Sequence, residues 1–209
     1  RCNAESATDS FRFGGASVCR DGVCVGIGPI LNLRVVLRGK GCAVAKAVKT
    51  PKTNAMRELE SAGISYVLHT YEDDGDESSG LGVAISEQLG EEPGQGFKTL
   101  VCTTPSNDHV VCCIPVAAEL DLKAAARAAG EKSLTMMHVK DLLAATGYVR
   151  GGCSPVGMKK RFRTLIDETC VLWDTIFISG GKRGYQLELA PEDLVAFCGA
   201  TVAPITRED

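Results

Sequence analysis

The stretch from Tyr148 to Arg161, YVRGGCSPVGMKKR, constrains this chain more than any other. Gly151 and Gly152 stand side by side. Cys153, Ser154 and Pro155 follow, and Gly157 leads into the cations Lys159, Lys160 and Arg161. Glycine tolerates positive φ and lets backbone come close to another body. Pro155 fixes its own φ and drives Ser154 towards an extended conformation. The expected product is a stiff loop that presents backbone N–H groups and a hydroxyl beside positive charge. Such a loop suits a phosphate or a carbonyl oxygen. An ordinary Gly/Pro turn between a helix and a strand satisfies the same residues, and local sequence leaves both readings open.

The elements around the loop follow from caps and periodicity. Thr53 is an N-cap for a helix carrying Met56 and Leu59 on one face, with Gly63 as its stop. Residues 64–71, ISYVLHTY, read as a strand, and His69 reads as a strand residue rather than a catalytic one. An acidic, Ser/Gly-rich loop at 72–80 precedes a short helix through Val83, Ile85 and Leu89. FKTLVCT at 97–103 and VVCCIPV at 110–116 form a strand pair around a turn at 105–108. Cys102, Cys112 and Cys113 belong to the apolar run and are expected to be buried and reduced. Helices follow at 122–129 and 139–146, with Gly130 and Gly147 as stops. Strands at 163–166 and 175–179 lead to a second glycine-and-cation turn, Gly180-Gly181-Lys182-Arg183-Gly184. A strand at 185–189 and a helix begun by Pro191 close the chain. This order is not a βαβ alternation. It predicts an α+β domain with a mixed, largely antiparallel, barrel-like sheet, open to closure into a barrel.

No apolar run approaches the ~20 residues that span a bilayer. The net charge is −3, so the whole molecule is not a generic polyanion binder. Residues 1–43 look foreign to the rest: they hold four of the ten cysteines and seven of the 23 glycines, with no clear period. Cys19 and Cys24 lack the His or second Cys pair that a zinc site needs. The expectation is that 1–43 is non-native or disordered, with Val44 as a GTG-encoded first residue; a native, poorly structured extension is the alternative. In 44–209, seventeen basic residues face 23 acidic ones. Seven of the seventeen, Arg150, Lys159, Lys160, Arg161, Arg163, Lys182 and Arg183, flank the two glycine turns. If the turns meet, an acidic protein acquires one basic mouth that favours a phosphate-bearing ligand. Solvated surface cations are the alternative.

Four separated motifs carry a resemblance: KTNAMRELESAGISYVLHTY at 52–71, FKTL at 97–100, TGYVRGGCSPVGMKKRFRTLID at 146–167 and ISGGKRGYQLELAPEDL at 178–194. Together they make 51–209 resemble the YbaK/EbsC family of aminoacyl-tRNA deacylases, especially its Cys-tRNA(Pro) members. The resemblance implies a YbaK-like domain acting on mischarged tRNA in the cytoplasm. It implies cysteine release from Cys-tRNA(Pro), with Cys-tRNA(Cys) as a further substrate, and partnership with prolyl-tRNA synthetase. It implies no cofactor, no metal and no membrane.

By the same resemblance, Lys98 matches the strand lysine essential for deacylation. Tyr71, Thr99, Gly151, Gly152, Ser154 and Ser179 match substrate-pocket positions. Leu81 stands where some members carry phenylalanine, and Gln186 where some carry an acidic residue. Arg150, Lys159, Lys160, Arg161, Lys182 and Arg183 are the candidate tRNA contacts. From local sequence alone, Lys98 is either a pocket cation or an edge-strand charge. No Ser-His-Asp or Cys-His set is evident, and Cys153 more simply fills a tight loop than serves as a nucleophile. The resemblance implies substrate-assisted release, in which the cysteinyl thiol attacks its own ester and the enzyme chiefly positions it. Two alternatives stand beside it: an Ala-tRNA(Pro) deacylase using water, and a non-catalytic tRNA- or nucleotide-binding module. The double glycine with Lys159-Lys160 favours the cysteine type.

Overall fold

The computed structural model describes residues 19–20, 23–24, 51–72, 81–92 and 94–207. The chain divides into two units, 1–50 and 51–209. In the first, β1 (Cys19–Arg20) pairs antiparallel with β2 (Val23–Cys24). The other readings of 1–43 lie outside the described residues.

In the second unit, α1 (Asn54–Ser61) starts where Thr53 Oγ1 accepts a hydrogen bond from Met56 N at 3.3 Å. Its buried face is Ala55, Met56 and Leu59. β3 (Val67–Thr70) is shorter than 64–71; it pairs with Tyr185 to Glu188. α2 (Leu81–Leu89) leads into β4 (Phe97–Thr103) and β5 (His109–Pro115). These two form the expected hairpin, in register from Phe97↔Pro115 to Thr103↔His109. Its turn places Asn107 at φ 66, a conformation asparagine tolerates better than most residues.

α3 (Leu122–Ala129) is capped by Asp121, whose carboxylate accepts from Lys123 N and Ala124 N at 2.8 and 3.1 Å. A two-residue β6 (Thr135–Met136) precedes α4 (Val139–Thr146). β7 (Arg163–Asp167), a 3-10 turn at Glu168–Leu172, β8 (Ile176–Ser179) and β9 (Tyr185–Leu189) follow. α5 (Pro191–Cys198), with Pro191 in its first turn, and β10 (Thr201–Ala203) complete the fold. Asp167 is buried and satisfied three times over. Its Oδ1 accepts from Thr169 N and Oγ1, and its Oδ2 from Ile205 N, so one carboxylate caps the 3-10 turn and tethers the C-terminal segment.

The described strands of the second unit form two sheets. One has the order β10-β7-β5-β4-β6, in which β7 runs parallel to β5 and β10 and the other pairs are antiparallel. The second is antiparallel, in the order β3-β9-β8. Both faces of β5 are buried. Val111 and Cys113 join Met56, Leu59, Ile166, Ile178 and Leu187 in one core cluster, while Val110, Cys112 and Ile114 meet α3 in the other. A strand buried on both sides reads as a continuous apolar run, and VVCCIP is one. The mixed α/β architecture is as expected, but no barrel closes. Among the described residues, β6 pairs with the outer edge of β4 at Cys102 and Thr103, Met137 N donates to Val101 O just beyond, and β8 bridges to the same chain edge at Gly96↔Phe177. Between them, among the described residues, the edge of β4 has no strand partner and stays open. The parallel β5–β7 pair requires a long crossover. That crossover contains α3, β6, α4 and the glycine loop, and it returns the loop to the open edge.

Candidate active site

A cavity of about 580 Å³ lies along the open edge of β4. The unpaired edge explains why consecutive residues from Phe97 to Val101 all line it, although their side chains alternate between two faces. Its volume falls within the ~300–1,000 Å³ typical of small-ligand sites. Of the residues singled out in the sequence, Tyr71, Lys98, Thr99, Arg150, Gly151, Ser179, Arg183 and Gln186 line it.

The two glycine turns meet here. Arg183 Nε donates to Arg150 O at 2.9 Å. Gly151 has φ +80, and a Cβ at Gly152 would lie 3.2–3.3 Å from backbone atoms of Lys182 and Arg183. A side chain at Gly152 therefore requires the main chain at Lys182 and Arg183 to shift by a few tenths of an ångström. The loop is stapled from within: the Tyr148 hydroxyl donates to Val156 O at 2.7 Å, and Ser154 Oγ accepts from Val156 N at 3.3 Å. Ser154 is fully buried and Gly152 is buried, and neither lines the cavity. Both support the loop from behind. Leu81 lies at the start of α2; its side chain is outside the described set.

Lys98 Nζ donates to Val116 O at 3.0 Å, which holds the ammonium at the cavity wall. Burial pulls its pKa below the ordinary lysine value, and Glu119 offsets part of the effect. Thr99 Oγ1 sits 3.9 Å from Cys113 Sγ. Cys153 lines the cavity, but burial pushes its thiol up to about 12, with Thr146 offsetting part of the shift. A thiol so placed stays protonated near neutrality and is a poor nucleophile. His69 does not belong to the cavity lining. Its Nε2 pairs with Glu188 Oε2 at 2.8 Å, as a strand residue.

The cations divide into two groups. Arg150 and Arg183 border the main cavity. Lys159, Lys160 and Arg161 border a second one of about 210 Å³. Lys159 Nζ donates to Leu143 O and Ala144 O, carbonyls in the last turn of α4, where a cation meets the helix dipole. Lys160 lies over Phe162, Arg161 over Phe197 and Lys182 over Tyr185, each 5.1–5.5 Å from the ring centre. Arg163 bonds Glu131 and the Ala129 carbonyl instead. Glu91, Met136, Met137 and Leu142 had no signal in the sequence. The last three line the cavity, and Glu91 accepts from Gln186 Nε2 at 3.1 Å. Among the described residues, no His, Cys, Asp and Glu side chains group as a metal site, and no helix is long and apolar enough to cross a membrane.

Comparison with known proteins sharpens this geometry. The family model for the aminoacyl-tRNA editing domain matches residues 82–197, which contain most of the cavity. An Enterococcus faecalis protein named "Putative Cys-tRNA(Pro)/Cys-tRNA(Cys) deacylase EbsC" is 45% identical over 166 residues, covering 79% of this chain and 100% of that protein. A solved structure described as "a putative trans-editing enzyme for prolyl tRNA synthetase" shares the fold, with a TM-score of 0.63 at 24% identity over 76% of this chain and 100% of that one. A hypothetical protein of known structure shares it too, with a TM-score of 0.66 at 21% identity over 74% of this chain and 100% of its own. With the domain matched over more than half of its length and a relative matched from end to end, the chain belongs to the aminoacyl-tRNA editing domain family, in its YbaK/EbsC branch.

Proposed function

We propose that this protein is a trans-editing deacylase that removes cysteine from mischarged Cys-tRNA(Pro), and from Cys-tRNA(Cys) as a further substrate. The observation that carries the proposal is the end-to-end 45% identity to a relative bearing that deacylase name. The cavity supports it. Open strand edge and a glycine turn give backbone donors for a carbonyl oxygen, Lys98 adds a fixed cation, and Arg150 and Arg183 stand ready for the phosphates of a tRNA 3′ end. Lys160 and Arg161, with Lys182, extend the positive surface available to the acceptor strand.

In this mechanism the chain's residues position the ester and the substrate supplies the nucleophile. The cysteinyl sulfur forms a bond to the ester carbonyl carbon, and the carbonyl oxygen takes up negative charge. Collapse breaks the bond to the terminal ribose oxygen, which receives the proton lost by the thiol. Cysteine thiolactone and free tRNA result. Holding thiol and carbonyl together replaces an encounter with an intramolecular step. An editing enzyme of this kind acts in the cytoplasm beside prolyl-tRNA synthetase, whose misacylation product it consumes.

The test is a panel of tRNA(Pro) charged with Cys, Ala or Pro. Cys-tRNA(Pro) is expected to be cleared at least about tenfold faster than the other two, a difference of roughly 1.4 kcal/mol in transition-state binding. Equal or faster release of alanine assigns the protein to the alanine type. No release of any amino acid reduces it to a binding module.

The editing unit we propose is 51–209, with 1–43 dispensable. A chain beginning at Val44 is expected to match the full chain in melting temperature and deacylation rate. Insolubility or loss of turnover in the shorter chain assigns residues 1–43 a structural role.

A further inference from the structure

The cavity wall contains a polar cluster that the proposed chemistry has not used. Gln186 on β9 lines the cavity and is only 7% exposed. Its Nε2 donates to Glu91 Oε2, just beyond α2. Three oxygens of this cluster, Ser86 Oγ, Glu91 Oε1 and Gln186 Oε1, are buried without a hydrogen-bond partner among the described residues. A buried acceptor without a donor forfeits its solvation, so such atoms are uncommon. Two acceptors in one linked pair at a ligand cavity mark a place suited to a donor from the ligand.

The aminoacyl group brings that donor. Its α-ammonium is a cation, and Lys98, Arg150 and Arg183 on the same cavity repel it. We propose that Glu91 is a positioning residue for the aminoacyl group: it fixes the Gln186 amide so that Oε1 receives the substrate's α-ammonium, and its carboxylate backs that contact with negative charge. The inference rests on the deacylase reading.

The amide orientation follows from Glu91's protonation state. An ionised carboxylate only accepts hydrogen bonds, so it takes the Gln186 NH2 and leaves the carbonyl oxygen for the substrate. A protonated carboxyl donates, attracts that oxygen instead, and turns the NH2 towards an ammonium that it repels. Burial pushes Glu91 up to about 7, with the charge of Glu188 adding; the Ser86 hydroxyl and the Gln186 amide pull the other way without overcoming burial. The Ser86 dipole exerts this pull without reaching hydrogen-bond geometry. The charged group acting on Glu91 is Glu188 on β9, whose Oε2 lies 2.8 Å from His69 Nε2 on β3. Both orientations of the amide are accessible near neutral pH, and rising pH favours the productive one.

The experiment compares wild type with Glu91→Gln on Cys-tRNA(Pro) from about pH 5.5 to about pH 8.5. The substrate's own thiol and amine titrate identically with both enzymes, so the ratio of their kcat/KM values isolates Glu91. The ratio is expected to rise from near one at low pH to about tenfold above neutrality, the difference between a charged and a neutral hydrogen bond. The change should fall on KM more than kcat. In a Gln186→Leu background, the effect of Glu91→Gln should shrink to the small through-space part, because the intermediary is gone. A flat ratio, or an undiminished effect without Gln186, overturns the proposal. The Gln186 side-chain NH2 resonances give a reading independent of turnover. They should titrate near neutrality in wild type and stay fixed in Glu91→Gln, and a pH-independent amide in wild type also overturns it. A wild-type protein that clears no aminoacyl-tRNA at any pH defeats the deacylase reading itself, and the amide titration still decides whether Glu91 controls Gln186.

Discussion

Lys98→Ala is expected to lower kcat/KM for Cys-tRNA(Pro) by about a hundredfold or more while the protein stays folded. The magnitude is that of deleting one preorganised donor to developing negative charge, ~10²–10³ in rate. Stability should fall far less. Lys98 is half-buried, and among the described residues its ammonium donates to the Val116 carbonyl. Losing such a bond costs about 1 kcal/mol, which for a domain of this size is a melting shift of roughly 2–4 °C. Lys98→Met separates charge from packing, because it keeps most of the stem along the β4 edge. Equal losses in the Ala and Met variants locate the effect in the ammonium. Turnover within a few-fold of wild type in a folded Lys98→Ala protein removes the residue from the site.

The position of Lys98 on the cavity wall shows what sequence could and could not reveal. Within FKTL, a lysine near a strand end is as readily a solvated edge charge as a pocket cation. The difference depends on β6 pairing with β4 at Cys102 and Thr103, which among the described residues leaves the edge beside Lys98 without a strand partner. A two-residue strand has no periodicity to detect, and β6 was not foreseen. β10 was missed for the same reason; its three residues pair with β7 because the Asp167 carboxylate and the α5 turn deliver them there. Elements with a local chemical cause were legible. Asp121 and Gly130 bracket α3, Pro191 opens α5, and the β4–β5 turn carries its own side-chain bonds.

The glycine turns were legible as a pair, but their partition of charge was not. Sequence clusters the seven cations, while the structure sends Lys159 to a helix terminus and stacks Lys160, Arg161 and Lys182 on aromatic rings. Arg150 and Arg183 remain on the main cavity because the hydrogen bond from Arg183 Nε to Arg150 O brings them together. Glu91 illustrates the other limit. A glutamate in a loop reads as solvated, and its perturbed titration comes from burial against β9, more than ninety residues away in sequence.

The nucleophile is expected to come from the substrate, so changing the substrate's side chain should matter more than changing any enzyme thiol. Cys153→Ala should leave turnover within about twofold of wild type and cost stability instead, because the buried thiol is protonated and packs beneath the glycine turn. Ser-tRNA(Pro) keeps the shape of the substrate but offers a hydroxyl, which ionises far less readily than a thiol. Its release should be slower by about a thousandfold at neutral pH, on the order of 4 kcal/mol in barrier. Ala-tRNA(Pro) has no side-chain nucleophile and should persist at the rate of spontaneous hydrolysis. The product gives a second, independent reading. Internal attack yields the thiolactone first, which an added amine nucleophile can trap, whereas attack by water yields free cysteine directly. Rapid hydrolysis of Ala-tRNA(Pro), or untrappable free cysteine from the first turnover, defeats self-cyclisation and assigns the reaction to a water held between Lys98 and the glycine turn.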